Sequence, residues 1–461
     1  TWDTKVMEVL SDEEFQFLDP FLTCQVTFKD LSAHRTGVPS RNYAAFRNMT
    51  RKELVSKMRY SRAESQFRDG FTYNNNLYSV MAYIIEKLSG KKYEQMVRDE
   101  LFVPLNMTSA TFLHEMDLSD DRLAEPYLND PGNDNRVRRA SKQAFANFVR
   151  AGAGAGSVAS TAEDMAQYLK LHLGYGVADG VKVFDADVIA ETHSQYNTIL
   201  WSQIIPPHFP AAHILNGYGL GGFTGSYNGY RVHHLEGSLL AYASAAQIMP
   251  DAGIGIYAQG VASNFGEARL QRFLVMMYIT DLLLGVEPWL DEKTVCSFPA
   301  PWLNSSIPGD PLYPDPIDTP DDLSIYLGTY GNFQYGNIMV TEARNISSRW
   351  LELTYGSGKW SLRPIAENAF LGVPDDDTFP FYLKEVLFLN QNRGTGLFNE
   401  VTFNVLGTDP NIFQRDLKMA DEPPVPTVNC DLNRDSSGGE RFSMSTSYLL
   451  VMLAGYISFV L

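Results

Sequence analysis

The stretch Gly70-Phe71-Thr72-Tyr73-Asn74-Asn75-Asn76-Leu77-Tyr78 runs into an apolar pattern of helical period. Leu77, Val80, Met81, Ile84, Ile85 and Leu88 recur at helical spacing, which places them on one face of a helix. Asn74 to Asn76 supply N-cap side chains, and Gly90 stands near the stop. Tyr73 and Asn75 therefore sit where an amphipathic helix begins. A phenol next to cationic groups loses its proton more easily and can serve as a general base. An amide such as that of Asn75 can orient a substrate carbonyl and a neighbouring lysine. The same residues also have a structural reading, with Tyr73 a packed ring and Asn75 the helix cap.

Helix and strand signals mix around this helix. Ser160-Thr161-Ala162-Glu163 reads as a capping box with Ser160 as the cap, opening a helix through Met165, Tyr168, Leu169 and Leu171. Leu239 to Met249 and Ile254 to Gln259 are short apolar runs with turn chemistry between them, Pro250-Asp251-Ala252-Gly253, so a hairpin is expected. Arg269 to Leu284 returns to helix. Seven prolines between Pro299 and Pro320 exclude a helix interior or a central strand and read as a linker. A second proline-rich run, Asp421 to Pro426, precedes the tail. Between the two, Ile325 to Tyr330, Asn337 to Thr341, Trp350 to Thr354, Trp360 to Pro364 and Glu400 to Val405 are short strand candidates separated by turn residues. Such a block is an all-β module, either a barrel or a sandwich. The expected division is a first domain at 1–290, a linker at 291–321, the β module at 322–418, a stalk at 419–447 and an apolar tail at 448–461.

Composition narrows the function. The 461 residues carry 37 Lys+Arg against 54 Asp+Glu, a net charge of −17. An acidic surface repels phosphates, so nucleic acid is not an expected partner. Ala151-Gly152-Ala153-Gly154-Ala155-Gly156 looks like a phosphate loop, but it lacks the strand before it and the acidic residue after it. Close backbone packing is the expected reason for those glycines. His233 and His234 are adjacent, so on a strand they point to opposite faces and do not jointly hold a metal. No cofactor is expected.

Several segments in order carry a family resemblance. Tyr73-Asn74-Asn75 resembles the Tyr-x-Asn motif of serine β-lactamases of the class C type and of penicillin-binding-protein-like peptidases. Asp30-Leu31-Ser32-Ala33-His34-Arg35-Thr36-Gly37-Val38-Pro39 is similar to their Asp-Leu-Leu-x-His-x-Ser-Gly-Leu-Pro, and Pro104-Leu105-Asn106-Met107 to their Pro-Leu-Gly-Met. Ser160 to Met165, Tyr218-Gly219-Leu220-Gly221 and Pro250 to Gly255 fit as well. The resemblance covers about Leu18 to Leu284. It implies an α+β, β-lactamase/transpeptidase-like domain with an antiparallel sheet flanked by helices. In the β module, Tyr326-Leu327-Gly328-Thr329-Tyr330 and Ile412 to Arg415 resemble a lipocalin-like barrel that follows such domains in some serine peptidases. The activity implied is acyl transfer on an amide, peptide or ester through a serine, with Tyr73 as base and Asn75 as positioner. A small molecule or peptide is the implied substrate.

Two departures qualify that expectation. The resemblance implies a nucleophile in Ser-x-x-Lys some tens of residues before Asp30. Within the chain the pattern occurs at Ser89-Gly90-Lys91-Lys92, at the C-terminal end of the helix, whereas the chemistry needs the serine at a helix N-terminus. The chain starts at Thr1 and not at methionine. We therefore expect the nucleophile and any secretion signal in preceding residues. The alternative is a catalytically inactive β-lactamase-fold binding or scaffold protein. The second departure is on the strand that binds substrate in the family. Counting back through Gly237-Ser238, the cationic position falls on Leu235, one residue after His234. His234, Gly237 and Ser238 are the substrate-binding candidates, His234 only if a β-bulge restores its face.

The ends suggest a compartment. Ser436 and Ser437 with two glycines, a polar spacer and an apolar tail from Tyr448 to Leu461 form the pattern of a GPI-attachment signal. Asn48, Asn106, Asn304 and Asn345 head glycosylation sequons. The expectation is a GPI-anchored glycoprotein on the extracellular face of the plasma membrane, with membrane contact through the C-terminal anchor. There Cys296 and Cys430 could pair and leave Cys24, with the pairing open. Oligomeric state is not legible.

Overall fold

Polar caps fix where the helices start. The computed structural model describes residues 1–41, 47–130, 133–200, 213–239, 241–261, 265–293, 317–375, 382–403 and 411–430. Asp19 caps α1 (Pro20–Gln25), and Thr27 caps α2 (Phe28–Ser32) in a reciprocal box with Asp30. Thr50 and Glu53 do the same for α3 (Arg51–Ser56). Asn74 caps α4 (Asn75–Ser89), which stops at Gly90 in the left-handed conformation, φ 71°. After α5 (Tyr93–Val97), Ser141 caps α6 (Lys142–Val149). The cap of α7 (Ala162–Leu173) is Thr161, which accepts from the Asp164 N–H. Ser160, the cap expected from the sequence, lies one residue outside. The last helices are α8 (Ala186–His193) and α9 (Phe265–Leu284). The glycine run at 151–156 packs against α4: a Cβ on Gly154 would meet the Tyr78 carbonyl oxygen at 2.4 Å.

Short strands β1 (Thr111–Phe112) and β4 (Val158–Ala159) pair, and β2 (Tyr127–Asp130) with β3 (Asn133–Arg139), and β5 (Val177–Ala178) with β6 (Val181–Lys182), form hairpins. The main sheet is antiparallel with the order β12-β11-β10-β9-β8-β7. Its strands are β7 (Asn197–Thr198), β8 (His213–Tyr218), β9 (Phe223–Tyr227), β10 (Tyr230–Leu239), β11 (Tyr242–Met249) and β12 (Ile254–Val261). Alternation divides its side chains. Leu235, Ala246 and Ile248 join α4 and α7 in the main core, while Val232 and Met249 meet Met277 of α9 on the other face. The sheet is thus flanked by helices on both sides.

The C-terminal module is a closed barrel. Its strands are β13 (Gly328–Asn332), β14 (Gly336–Arg344), β15 (Arg349–Tyr355), β16 (Gly358–Ala366), β17 (Ala369–Pro374), β18 (Leu383–Gln391), β19 (Phe398–Phe403) and β20 (Asn411–Arg415). A barrel of this size either fills with side chains or holds one small ligand. Here Tyr330, Tyr355, Trp360, Phe388, Phe398 and Phe413 are buried in a single core. Ala144 of α6 belongs to that core, with Phe148 packed against it, so a helix of the first domain seals the barrel.

The segment after the barrel returns to the first domain. Residues from 419 on, expected as a stalk, lie against it as far as Cys430. The Glu422 carboxylate takes Lys57 Nζ at 2.5 Å, the Tyr60 hydroxyl at 2.7 Å and the Arg59 guanidinium. Gln16 Nε2 donates to the Pro426 carbonyl at 2.7 Å. Cys24 and Cys430 form a disulfide with a Cα–Cα distance of 5.3 Å. The sequence left the pairing open, and the structure joins Cys430 to Cys24 rather than to Cys296. The partner is the cysteine of α1, brought close because the strap crosses that helix. Cys296, Asn304, Ser436, Ser437 and the tail lie outside the described residues. Among the described residues no helix is long and apolar enough to cross a membrane.

The disulfide closes a loop with a sequence separation of 406 residues. Removing it, by reduction or by Cys24→Ser, is expected to cost about 2–5 kcal/mol. Thermal unfolding with and without reductant measures this, and an unchanged melting curve would show that the bond contributes nothing.

Candidate functional site

The start of α4 is built from the segment that precedes it. The Asn74 side chain accepts from the Asn76 N–H at 2.8 Å and donates to the Val38 and Pro39 carbonyls at 2.9 and 3.1 Å. Its own N–H donates to His34 Nδ1 at 3.2 Å. Asn74 is thus the cap, and Asn75 is the first helical residue. The Asn75 N–H donates to Ser40 Oγ at 3.2 Å, and its side-chain amide makes no hydrogen bond to any described residue. Tyr73 is 43% exposed, with its ring 4.5 Å from that of His34. The turn at Gly37 fixes the approach: its φ is 73°, and a Cβ there would sit 2.2 Å from the Ser65 carbonyl oxygen.

His34 is the centre of this arrangement and was not singled out by sequence reasoning. It is wholly buried, in the left-handed region at φ 55°. The rings of Tyr218, Tyr78 and Phe71 lie 5.0, 5.1 and 5.5 Å from it. Burial pushes its pKa down to about 3, so the imidazole is neutral near pH 7. Because Nδ1 accepts a hydrogen bond, the proton resides on Nε2. The His34 ring beside Tyr73 thus supplies no positive charge. Asn197 fixes the surroundings: its Nδ2 donates to the carbonyls of Ala33 at 2.8 Å, Gly70 at 3.1 Å and His34 at 3.3 Å. No motif flags Asn197; it sits on a two-residue strand. Asp30, buried beneath, takes Arg68 Nε at 2.9 Å and Nη2 at 2.7 Å.

The loop of Tyr73 faces the sheet. Phe71 lies 5.1 Å from Tyr218 and 6.3 Å from Phe223, and Phe223 pairs with His234 on β10. β9 pairs with β10 only from Tyr230 to His234, whereas β11 pairs with it from His233 to Leu239. From Leu235 to Leu239 that edge of β10 has no strand partner among the described residues. Gly237 and Ser238 lie along this open edge. His234 does not join them. The register with β9 and β11 runs without a bulge, so His234 turns toward α9, 5.1 Å from Phe273, with Nε2 3.2 Å from Glu236 Oε1. Leu235, on the opposite face, is buried in the main core. The structure therefore brings the segment of Phe71 and Tyr73 against Tyr218 and the start of β9, and places no histidine on the open edge of β10 from Leu235 to Leu239.

Comparisons with known proteins agree with this architecture. The beta-lactamase family profile matches residues 2–268, more than half of the chain. An unguisins hydrolase from Aspergillus campestris is 24% identical over 301 residues, 62% of this chain and 51% of that protein. Penicillin-binding protein 4 of Amycolatopsis lactamdurans is 26% identical over 200 residues, 42% of this chain and 49% of that protein. The chain thus spans about half the length of these curated relatives. Among solved structures, the octameric penicillin-binding protein homologue from Pyrococcus abyssi aligns with a TM-score of 0.51 at 19% identity, covering 90% of this chain and 82% of that one. At that identity the likeness concerns the fold.

Other histidines are held in the same state as His34. His172 Nδ1 and His193 Nε2 lie 2.9 Å apart, and the His233 ring is 4.6 Å from that of His193. Among the described residues no group of three or more His, Cys, Asp or Glu is arranged to hold a metal. Burial lowers the pKa of His193 to about 4, that of His213 to about 3, and that of His233 well below its ordinary value. The unfolded chain titrates these groups near 6.5. Below that pH the unfolded state binds more protons than the folded one, so stability is full above about pH 6.5 and falls as the pH drops toward the folded values. His34, His193 and His213 are each expected to remove on the order of 2 kcal/mol by pH 5. Denaturant unfolding at pH 7.5 and pH 5 checks this, and equal midpoints would contradict it.

Proposed function

This chain belongs to the beta-lactamase family of serine hydrolases, and we propose that the whole protein is an extracellular acyl-transfer enzyme acting on an amide, peptide or ester. The observation that carries this reading is the exposed Tyr73 two residues ahead of Asn75, the first residue of α4, in a segment whose Phe71 ring packs on Tyr218 and Phe223 of the sheet. The helix start fixes Asn75 to a rigid element, and Tyr73 immediately precedes the cap Asn74. The nucleophilic serine and its lysine would come from residues preceding Thr1. Tyr73 would take the proton as the serine attacks and return it to the leaving group. Asn75 would hold the substrate carbonyl side of the reacting group. The relative named as a hydrolase supports hydrolysis as the outcome.

Leu235 shapes the substrate class. An apolar residue where the family resemblance expects a cation offers nothing to a substrate carboxylate. Substrates lacking a carboxylate at that point fit better than penicillin-like ones. The same feature supports a second reading, in which the fold is kept as a binding or scaffold protein without catalysis.

Three observations support a position outside the cell. The Cys24–Cys430 bond belongs in an oxidising compartment. Asn48, Asn106 and Asn345 are all exposed, as glycan acceptors must be. The C-terminal sequence carries the GPI pattern at Ser436 and Ser437. Release from cells by phosphatidylinositol-specific phospholipase C would accord with such an anchor, and full retention would argue against it.

The protein with its preceding residues is expected to be labelled by a fluorophosphonate and to hydrolyse a chromogenic amide. Tyr73→Phe should lower kcat about 10²- to 10⁴-fold with little change in KM. Absence of both labelling and hydrolysis would reject the enzyme and leave the scaffold reading.

A further inference from the structure

Two large apolar side chains stand in water at the start of α1. Leu18 is 56% exposed and Phe21 is 64% exposed, and Asp19 and Pro20 between them are exposed as well. The Phe21 ring meets that of Phe67 edge to face at 6.4 Å, and Phe67 packs against the main core. The Arg68 guanidinium lies over the Phe67 ring at 4.5 Å and is paired with Asp30. Exposed apolar groups rimmed by charged ones are the pattern of an interaction surface.

The strap ends at the same place. Cys430 is bonded to Cys24, and Cys24 follows Phe21 by three residues in α1, so the two are neighbours on the helix surface. Glu422 and the Pro426 carbonyl hold the strap down before that bond. Of the two attachment candidates, Ser436 stands six residues after Cys430 and Ser437 seven. Even fully extended, seven residues span at most about 25 Å. A lipid attached there is therefore tied close to α1, and the residues before Cys430 add no clearance. The glycosylation sequons begin at Asn48, so α1 itself carries no N-linked glycan to hold it off a surface.

We propose that the Leu18–Phe21 face of α1 is the side on which the protein rests on its own membrane, with both side chains seated among the headgroups of a zwitterionic leaflet. The proposal rests on the lipid-anchor reading above and adds to it which surface the bilayer meets. Aromatic rings favour the headgroup layer, and apolar area buried there adds to the hold of an anchor. The net charge of −17 disfavours an anionic surface, which is why a zwitterionic one fits.

Photocrosslinking of the full-length protein, solubilised from cells and reconstituted into phosphatidylcholine vesicles with a trace of radiolabelled lipid, tests this. p-Benzoylphenylalanine replaces Phe21 and, in a second variant, Ile346, which is fully exposed in a barrel turn beside the Asn345 sequon. Both positions lie outside the cores, so the fold tolerates the larger ring. Position 21 is expected to crosslink to lipid about tenfold more than position 346, and treatment with phosphatidylinositol-specific phospholipase C should abolish the difference. Equal crosslinking at the two positions, in protein that the phospholipase does release, would overturn the membrane face and leave the anchor standing. Protein that the phospholipase does not release would overturn the anchor and this inference with it. Crosslinks from position 21 into residues 448–461 would show the apolar tail retained and covering the patch, which overturns both.

Discussion

The hydrogen bond from the Asn74 N–H to a buried, neutral His34 is the constraint on which the rest of the site depends. A buried backbone donor needs an acceptor, and Nδ1 provides one only while the imidazole carries no charge. The aromatic cage around His34 enforces that state by excluding water. With the N–H satisfied, Asn74 can adopt the extended cap conformation, at φ −153° and ψ 109°. The helix then begins at Asn75, and Tyr73 is left outside the core and 43% exposed. An apolar side chain of equal size at position 34 would fill the same space, but would leave the N–H without a partner at a cost of about 1–3 kcal/mol.

The second half of the site follows from a single register. A strand pairs on both sides wherever neighbours allow, and β9 stops pairing at His234 while β11 continues to Leu239. The open edge of β10 arises from that mismatch in length and needs no special residue. What a register does dictate is which side chain faces the α4 and α7 layer. Without a bulge, His233 and Leu235 face it and His234 cannot. Glu236 accompanies His234 on the far face and hydrogen-bonds to it, so the pair is satisfied there and has no pull toward the cleft.

How legible this was depended on range. The start and stop of α4, the hairpin around Pro250 and the packing role of the glycine run at 151–156 were readable, because caps, turns and close approaches are decided within a few residues. The cap of α7 was misplaced by one residue because Ser160 and Thr161 both have the chemistry for it, and only the backbone decides. Strands β17 and β18 escaped notice, since their buried positions do not alternate cleanly along the strand. His34 lay inside a segment that the sequence did pick out, yet its role depends on Asn74, Tyr78 and Tyr218, which are distant along the chain. Asn197 gave no signal at all. A single amide bridging three carbonyls from two other segments has no local pattern.

The barrel shows what such long-range contacts accomplish. A lipocalin-like resemblance suggests a ligand-holding interior, but Trp360, Tyr330 and Tyr355 occupy that interior and α6 seals it. What remains for the module to offer is its outside and its attachment. Arg41 reaches Asn411 at 2.9 Å, Gln334 reaches Ser61 at 2.8 Å, and the strap ends in a covalent bond to α1. Each contact lands on the part of the first domain that leads into or lies near the α2–α4 segments. A domain tethered at several points cannot swing freely without breaking them together, so the barrel acts as a buttress for the layer that carries Tyr73. The segment expected as a stalk is part of that buttress, because a chain bonded at Cys430 is anchored to the first domain before any linker can begin.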